Sequence, residues 1–378
     1  MEKELGKSII EHFSDLKDPG IDRKKLYPLM EILFIVLCGA ICGADSWRDF
    51  VIIGKEKKEF FKRYFPYKNG IPSKNTFARV FSALCPISFK TCFIDWAKSL
   101  QEVLNDIVAI DGKTLRRSFD KGTEQSAIHM VSAFATQAKL VLGQQKVDEK
   151  SNEITAIPLL LEVLDLKGSI VTIDAMGCQK NIAGKIVEKK ADYVLALKGN
   201  HGTLHDDVKL FFTTEREKSK SIYITDKHDE IDTGHGRIEK RECWVSDKLD
   251  WLEQKEEWKN LKTVVMVEET RETGKKKSIE RRFFISSLSA NAKNIAFAVR
   301  AHWGVENTLH WILDMTFRED ESRVREKNAA ENLAVVRHIA LNMLQNARKS
   351  LKDISIKGLR KAAGWGNSTL ENIVKQSF

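Results

Sequence analysis

No two cysteines stand at CxxC spacing. The six, Cys38, Cys42, Cys85, Cys92, Cys178 and Cys243, are scattered along 378 residues, which argues against a disulfide framework or a zinc knuckle and fits reduced, buried side chains. Long apolar runs are missing too: the longest, Ile32 to Ala44, abuts Glu31 and falls short of the roughly 18 residues that cross a bilayer. It reads as a buried helix, and no membrane partner is expected. The opening MEKELGKSII mixes acids with lysines and has no apolar signal core, so the expected location is the cytoplasm. P-loop, GxSxG and paired GxGxxG patterns are absent, which removes the usual nucleotide-binding and serine-hydrolase arguments. There is no internal repeat and no low-complexity segment.

What is present is a globular composition. With 42% hydrophobic and 30% charged residues, disorder, collagen and coiled coil are excluded, and the length suits two or three cored units. Lys+Arg 62 against Asp+Glu 53 gives a formal charge of +9, which favours a polyanionic partner through phosphate neutralisation.

Residues 1–100 read as helical. Leu26 to Ala44 is apolar, Ser46 to Tyr64 is amphipathic with a lysine-rich outer face, and Ser73 can cap a helix through Phe77, Val80, Phe81 and Leu84. The turn-rich PYKNGIPSKN between the last two allows either a helix-turn-helix reader of DNA or a plain bundle. From residue 105 the period changes. Strands are expected at Ile107–Ile110, Ile128–Thr136, Leu140–Val147, Ser169–Ile173 and Tyr193–Leu197, with helices at Ile154–Leu164 and Gln179–Lys190. That order predicts an α/β core with a mixed sheet. Residues 200–287 turn to strands after a helix at Leu204–Phe212: Ser221–Thr225, Arg237–Val245, Thr263–Thr270 and Ser278–Ser286, the last two joined by the basic tip RETGKKK. They read as a β-rich insertion. Helix resumes over 288–350, and 351–378 form a tail.

Asp111 and Asp174 each end a β-branched run, VAID and IVTID. Open α/β sheets place ligands at the carboxyl edges of their strands. Two carboxylates there repel, one is driven to take up a proton, and a divalent cation with oxygen ligands resolves the conflict. Glu306 would be the third acid, completing a two-metal phosphodiester site; amid Trp303, Val305, Leu309 and Trp311 it is costly to bury without a partner. Taken singly, an Asp after a strand is more readily a turn or cap residue. A rival lies on the same helix: His302, Glu306 and His310 recur every four residues and could make a zinc hydrolase, although the HExxH form is missing. His201 and His205, beside Asp206 and Asp207, read better as a solvated helix start than as a metal pair. Cations recur beside the acids: Lys113, Arg116 and Arg117; Lys198; His235, Arg237, Lys240 and Arg241; Arg318, Arg323 and Arg325. Such groups hold a phosphate backbone without reading bases.

The motifs AIDGKTLRRS, VTIDAMGCQKNIA, YVLALKGNHGTL, TGHGRIEKR and RAHWGVENTLHWILDMTFRED, in that order, resemble the ISAs-type insertion-sequence DDE transposases, the H-repeat-associated family linked to Rhs elements. The likeness covers nearly the whole chain. It implies an RNase H-like mixed-sheet core flanked by helices, split over 101–199 and 288–350 by the β-rich insertion at 200–287; the helical amino-terminal domain (1–100) is the candidate DNA-binding part. It also implies Mg²⁺-dependent cleavage and strand transfer, with Mn²⁺ able to substitute, and Asp111, Asp174 and Glu306 as the three acids. DNA partners would be the element's terminal inverted repeats and its target, gripped by a homo-oligomer in the synaptic complex. Related transposases carry a tyrosine, an arginine and a lysine around the last acid, where this chain has Val299, His302 and Leu313. On this resemblance the phosphate-gripping role falls to Lys113, Arg116, Lys198, His235, Arg237, Arg241, His302 and Asn307. An inactive or domesticated DNA-binding relic is the alternative.

Overall fold

The computed structural model describes residues 9–20, 25–100, 105–119, 126–148, 151–218, 221–234, 236–274, 276–351 and 353–376. Among the described residues six helices precede the first strand: α1 (Ile9–Phe13), α2 (Leu29–Ile41), α3 (Trp47–Glu56), α4 (Lys58–Phe61), α5 (Lys74–Ala83) and α6 (Pro86–Ser99). Their starts follow from local chemistry. Ser46 and Asp49 close a capping box on α3, Ser73 accepts the Thr76 N–H on α5, and Pro86 opens α6 where an N–H has no helical partner. Apolar α2 buries every residue except Met30. Its Glu31 is tolerated inside because the carboxylate accepts the Tyr67 N–H at 3.0 Å. Among the described residues no single helix is long and apolar enough to cross a membrane.

The sheet has nine strands: β1 (Ile107–Thr114), β2 (His129–Ala135), β3 (Leu140–Lys146), β4 (Ile170–Ile173), β5 (Asp192–Leu197), β6 (Asp226–Gly234), β7 (Arg237–Ser246), β8 (Thr263–Thr273) and β9 (Lys276–Ser286), in the order β3-β2-β1-β4-β5-β9-β8-β7-β6. β1, β4 and β5 run parallel, and all other neighbours are antiparallel. α7 (Glu153–Val163) and α8 (Lys180–Glu188) make the crossovers to β4 and β5.

The strands of the expected insertion do not form a sheet of their own. β9 pairs with β5 from Val194↔Ser286 to Leu197↔Phe283, so the hairpins continue the central sheet and cover what would have been its open edge. The strand expected at Ser221–Thr225 lies instead at β6, just after it. β6 reads DKHDEIDTG and is mostly exposed, and an edge strand wetted on both faces lacks the apolar alternation that announces a strand.

After α9 (Thr203–Glu217) and the hairpins come α10 (Ala292–Val305), a π-helical turn (Glu306–His310), α11 (Trp311–Met315), α12 (Ala329–Arg348), α13 (Ile356–Trp365) and α14 (Asn367–Lys375). α12 is buried along nearly its whole length, packing on α2, α5, α6 and β3. Asn342 on it donates to the Val141 carbonyl and accepts the Val141 N–H, both at 2.8 Å, so an edge strand's free backbone groups are satisfied by a helix. One apolar cluster runs from Phe34, Phe61 and Phe81 through Val131 and Leu160 to Ile339.

Candidate active site

β1 and β4 are parallel neighbours in register at Ile110↔Ile173. The next residue on each is Asp111 and Asp174, so the two carboxylates leave adjacent strands side by side, on strands about 4.8 Å apart. Residues two apart share a face, which puts Thr172 with Asp174. The buried Thr172 hydroxyl lies 3.0 Å from His302 Nδ1, fixing that face as the one covered by α10. α10 comes close because it presents small residues: Ala292, Ala298 and Val299 pack on Ile107, Val194 and Phe284.

The helix carrying Glu306 changes pitch at that residue. α10 passes into the π turn and then α11 without a break, with the Trp311 N–H reaching the Glu306 carbonyl. The wider turn re-aims the side chains it holds, a device that recurs at functional sites. It leaves Glu306 lining a cavity of about 440 Å³ together with Asp111, Asp174, Lys198 and His302.

Burial pushes the Asp111 carboxyl up from 3.8 to about 7, with Glu153, Asp174 and Glu306 adding to the rise and the Gly112 N–H opposing it. The acids therefore sit together with too little counter-charge, which is the condition a divalent cation relieves. Asp174 Oδ1 also accepts the N–H groups of Met176 and Gly177 at 3.0 and 3.2 Å, so this carboxylate shapes its turn as well. Among the described residues no three His, Cys, Asp or Glu side chains are gathered closely enough to enclose an ion; the three acids share a cavity without converging on one point.

The imidazoles are engaged otherwise. Burial holds His302 below its ordinary value and His310 down to about 4, with His310 Nδ1 3.6 Å from Asp111 Oδ2. Both are neutral at pH 7. His201 donates to the Ala175 carbonyl at 2.9 Å, and His205 lies by Asp206 and edge-on to Phe283.

The cations expected to grip DNA divide into two kinds. Lys198 is exposed on the rim of the cavity. Arg116 is 79% exposed although it reaches Asp320, and Asn307 is exposed between two neighbouring grooves. Lys113 points inward: its amine meets Asp314 at 2.7 Å, Asp320 at 3.0 Å and Glu319 at 3.5 Å, and the buried Glu319 also faces Arg337. This amine ties the strand of Asp111 to the helix of Glu306. Arg237 and Arg241 both pair with Glu239. His235 lies outside the described residues.

Sequence reasoning passed over Glu153 and His129, which meet at 2.6 Å. An acid in the first turn of a helix looks like an ordinary partner of the helix dipole, and only the glycine at 112 hinted that something approaches β1 closely.

Residues 104–343 match the family model described as a transposase DDE domain, and residues 10–97 match its companion, described as DDE_Tnp_1-associated. The chain belongs to the DDE transposase family. Among its relatives, "Putative transposase YncI" of Escherichia coli O157:H7 is 42% identical, over 97% of this chain and 94% of that one. "H repeat-associated putative transposase YhhI" of Escherichia coli K12 is also 42% identical, over 94% and 95%. The resemblance read from the motifs to the H-repeat-associated group therefore holds along the chain. Among solved structures, a piggyBac transposase synaptic complex with hairpin DNA aligns over 92% of this chain and 71% of that one, with 11% identity and a TM-score of 0.42.

Proposed function

We propose that this transposase-family chain cuts the ends of a mobile DNA element and joins the freed 3′-hydroxyl to target DNA, using Asp111, Asp174 and Glu306 on an RNase H-like core. The strand order β3-β2-β1-β4-β5, with only β1, β4 and β5 parallel, supports that core. The observation that carries the chemistry is one cavity bordered by all three acids, in which Asp111 is pushed up to about 7 by burial and like charge. Carboxylates with oxygen-only donors at a strand edge suit Mg²⁺ or Mn²⁺. When bound, such ions polarise the scissile phosphodiester and lower the pKa of an attacking water or hydroxyl.

The chain's own groups do the rest. Asp111 and Asp174, on neighbouring strands, supply a fixed negative edge, and Glu306 faces them from the helix that covers the sheet. Lys198 at the rim holds a phosphate near them, with Arg116 and Asn307 continuing the track around Glu306. His302, neutral and bonded to Thr172, serves as a hydrogen-bonding wall and not as a cation. Element ends and target must be held together, so a homo-oligomer on DNA is part of this reading.

The test is nicking of DNA that carries the element's ends, in Mg²⁺ or Mn²⁺, with Asp174→Ala as control. Metal-dependent nicks from the wild type alone are expected. If both proteins shift the DNA on a gel and neither cuts it, the chain is a binding relic and the catalytic reading fails.

A further inference from the structure

A fourth acid stands against the residue after Asp111, outside the cavity that the three carboxylates line. Glu153 opens α7, directly after the capping Asn152, and its side chain is only 15% exposed. His129 Nε2 lies 2.6 Å from its Oε1, and His129 Nδ1 lies 2.8 Å from the Thr114 hydroxyl. The network is satisfied with Nε2 donating to the carboxylate and Nδ1 accepting from Thr114. One carboxylate oxygen is thus held by the imidazole.

The glycine after Asp111 shows how near this pair comes. A Cβ on Gly112 would fall 2.0 Å from Glu153 Oε1 and 2.5 Å from His129 Nε2, well inside contact distance. Only glycine lets the acid and its imidazole lie against β1 at that point. Alternation along β1 turns Asp111 to the α10 face and Gly112 to the opposite one. Glu306 therefore approaches Asp111 from one side of the sheet and Glu153 from the other.

We propose that Glu153, held in place by His129 and admitted by Gly112, is a positioning acid of this site that adds negative charge behind Asp111 and sets its affinity for divalent cations. The inference rests on the catalytic reading above. A purely structural role, an acid complementing the α7 dipole, predicts a change in stability and none in cation affinity.

The full chain is titrated with MnCl₂, with bound Mn²⁺ read by loss of the free-ion electron paramagnetic signal and, independently, by the rise in unfolding temperature. Asp174→Asn reports on the site itself, and Glu153→Gln removes the charge while keeping shape. Wild type is expected to bind, Asp174→Asn to lose binding, and Glu153→Gln to bind roughly tenfold more weakly, the effect of one unit charge on a divalent ion several ångströms away in a partly solvated site. His129→Gln, which loosens the clamp without removing the charge, should weaken binding about threefold, and it serves as the second variant if Glu153→Gln does not fold. If Glu153→Gln and His129→Gln bind Mn²⁺ as the wild type does while Asp174→Asn does not, this inference is overturned and the site reading stands. If the wild type takes up no Mn²⁺, or Asp174→Asn takes up as much, the site reading itself falls and this inference with it.

Discussion

Replacing Asp111 with asparagine removes the most heavily penalised charge of the site, and the sign of its effect on stability depends on pH in a way the structure fixes. The native carboxyl takes up its proton at about 7 against 3.8 in the unfolded chain. Because the folded state binds that proton more tightly, ionising Asp111 favours unfolding: the penalty is absent below 3.8, grows between the two values and is complete above about 7. Three pKa units correspond to ~4 kcal/mol. The side chain is 31% exposed, so solvent screening brings this nearer ~2 kcal/mol. Asparagine keeps an oxygen to accept the Gly112 N–H and carries no charge. With EDTA present, Asp111→Asn should therefore be more stable than wild type by ~2 kcal/mol at pH 8 and by less than half of that at pH 5. His310 does not confuse the comparison, since burial holds it at about 4 and it stays neutral across the window. Urea unfolding at the two pH values measures the difference. Adding Mn²⁺ at pH 8 should reverse the order, because only the wild type gains from binding it. A metal-free Asp111→Asn protein less stable than wild type at pH 8, or showing the same difference at both pH values, would refute the reasoning.

Other substitutions separate holding DNA from arranging the acids. Lys113→Met strips the counter-charge from Asp314, Glu319 and Asp320; it should destabilise the fold by ~3 kcal/mol and lower strand cleavage about a hundredfold by shifting the Glu306 helix, while DNA affinity in a gel shift stays within about twofold. Lys198→Ala, at an exposed rim position, should weaken DNA binding and reduce the salt slope by about 1 without changing stability; an unchanged slope would remove Lys198 from the interface. Asp174→Asn can still accept the Met176 and Gly177 N–H groups, so its unfolding free energy should match wild type within ~0.5 kcal/mol while nicking disappears. Asp174→Ala should lose a further ~1 kcal/mol, read in the same urea titration.

What could be read from the sequence was local, and what escaped was set by pairing across long stretches of chain. Asp111 and Asp174 stand out because each closes a β-branched run, and parallel pairing of those two runs brings their ends together without any further information. Glu306 drew notice as an acid among large apolar neighbours, yet the π turn that begins at it was invisible, since helix runs into and out of it without a break and Gly304, two residues before it, reads as an ordinary glycine inside a helix. Lys113 shows the limit of reading charge by proximity. Two residues from Asp111 it looked like a phosphate contact, but the acids it meets arrive from positions 314, 319 and 320, and nothing in DGKT says that they fold back onto it. β6 and the β5–β9 pairing escaped for the same reason: an edge strand wetted on both faces carries no apolar signature, and a hairpin can read as an inserted unit until its partner strand is known. Gly112 is the instructive residue between these cases. The glycine was plainly visible, but its meaning, a close approach by Glu153 and His129, depends on a helix and a strand that the chain reaches only later. An acid pair at adjacent strand ends is thus specified by short-range sequence, whereas the charges that tune it, Glu153 behind and Lys113 beneath, are specified by the fold, so substitutions at those two positions test the architecture and not the motif.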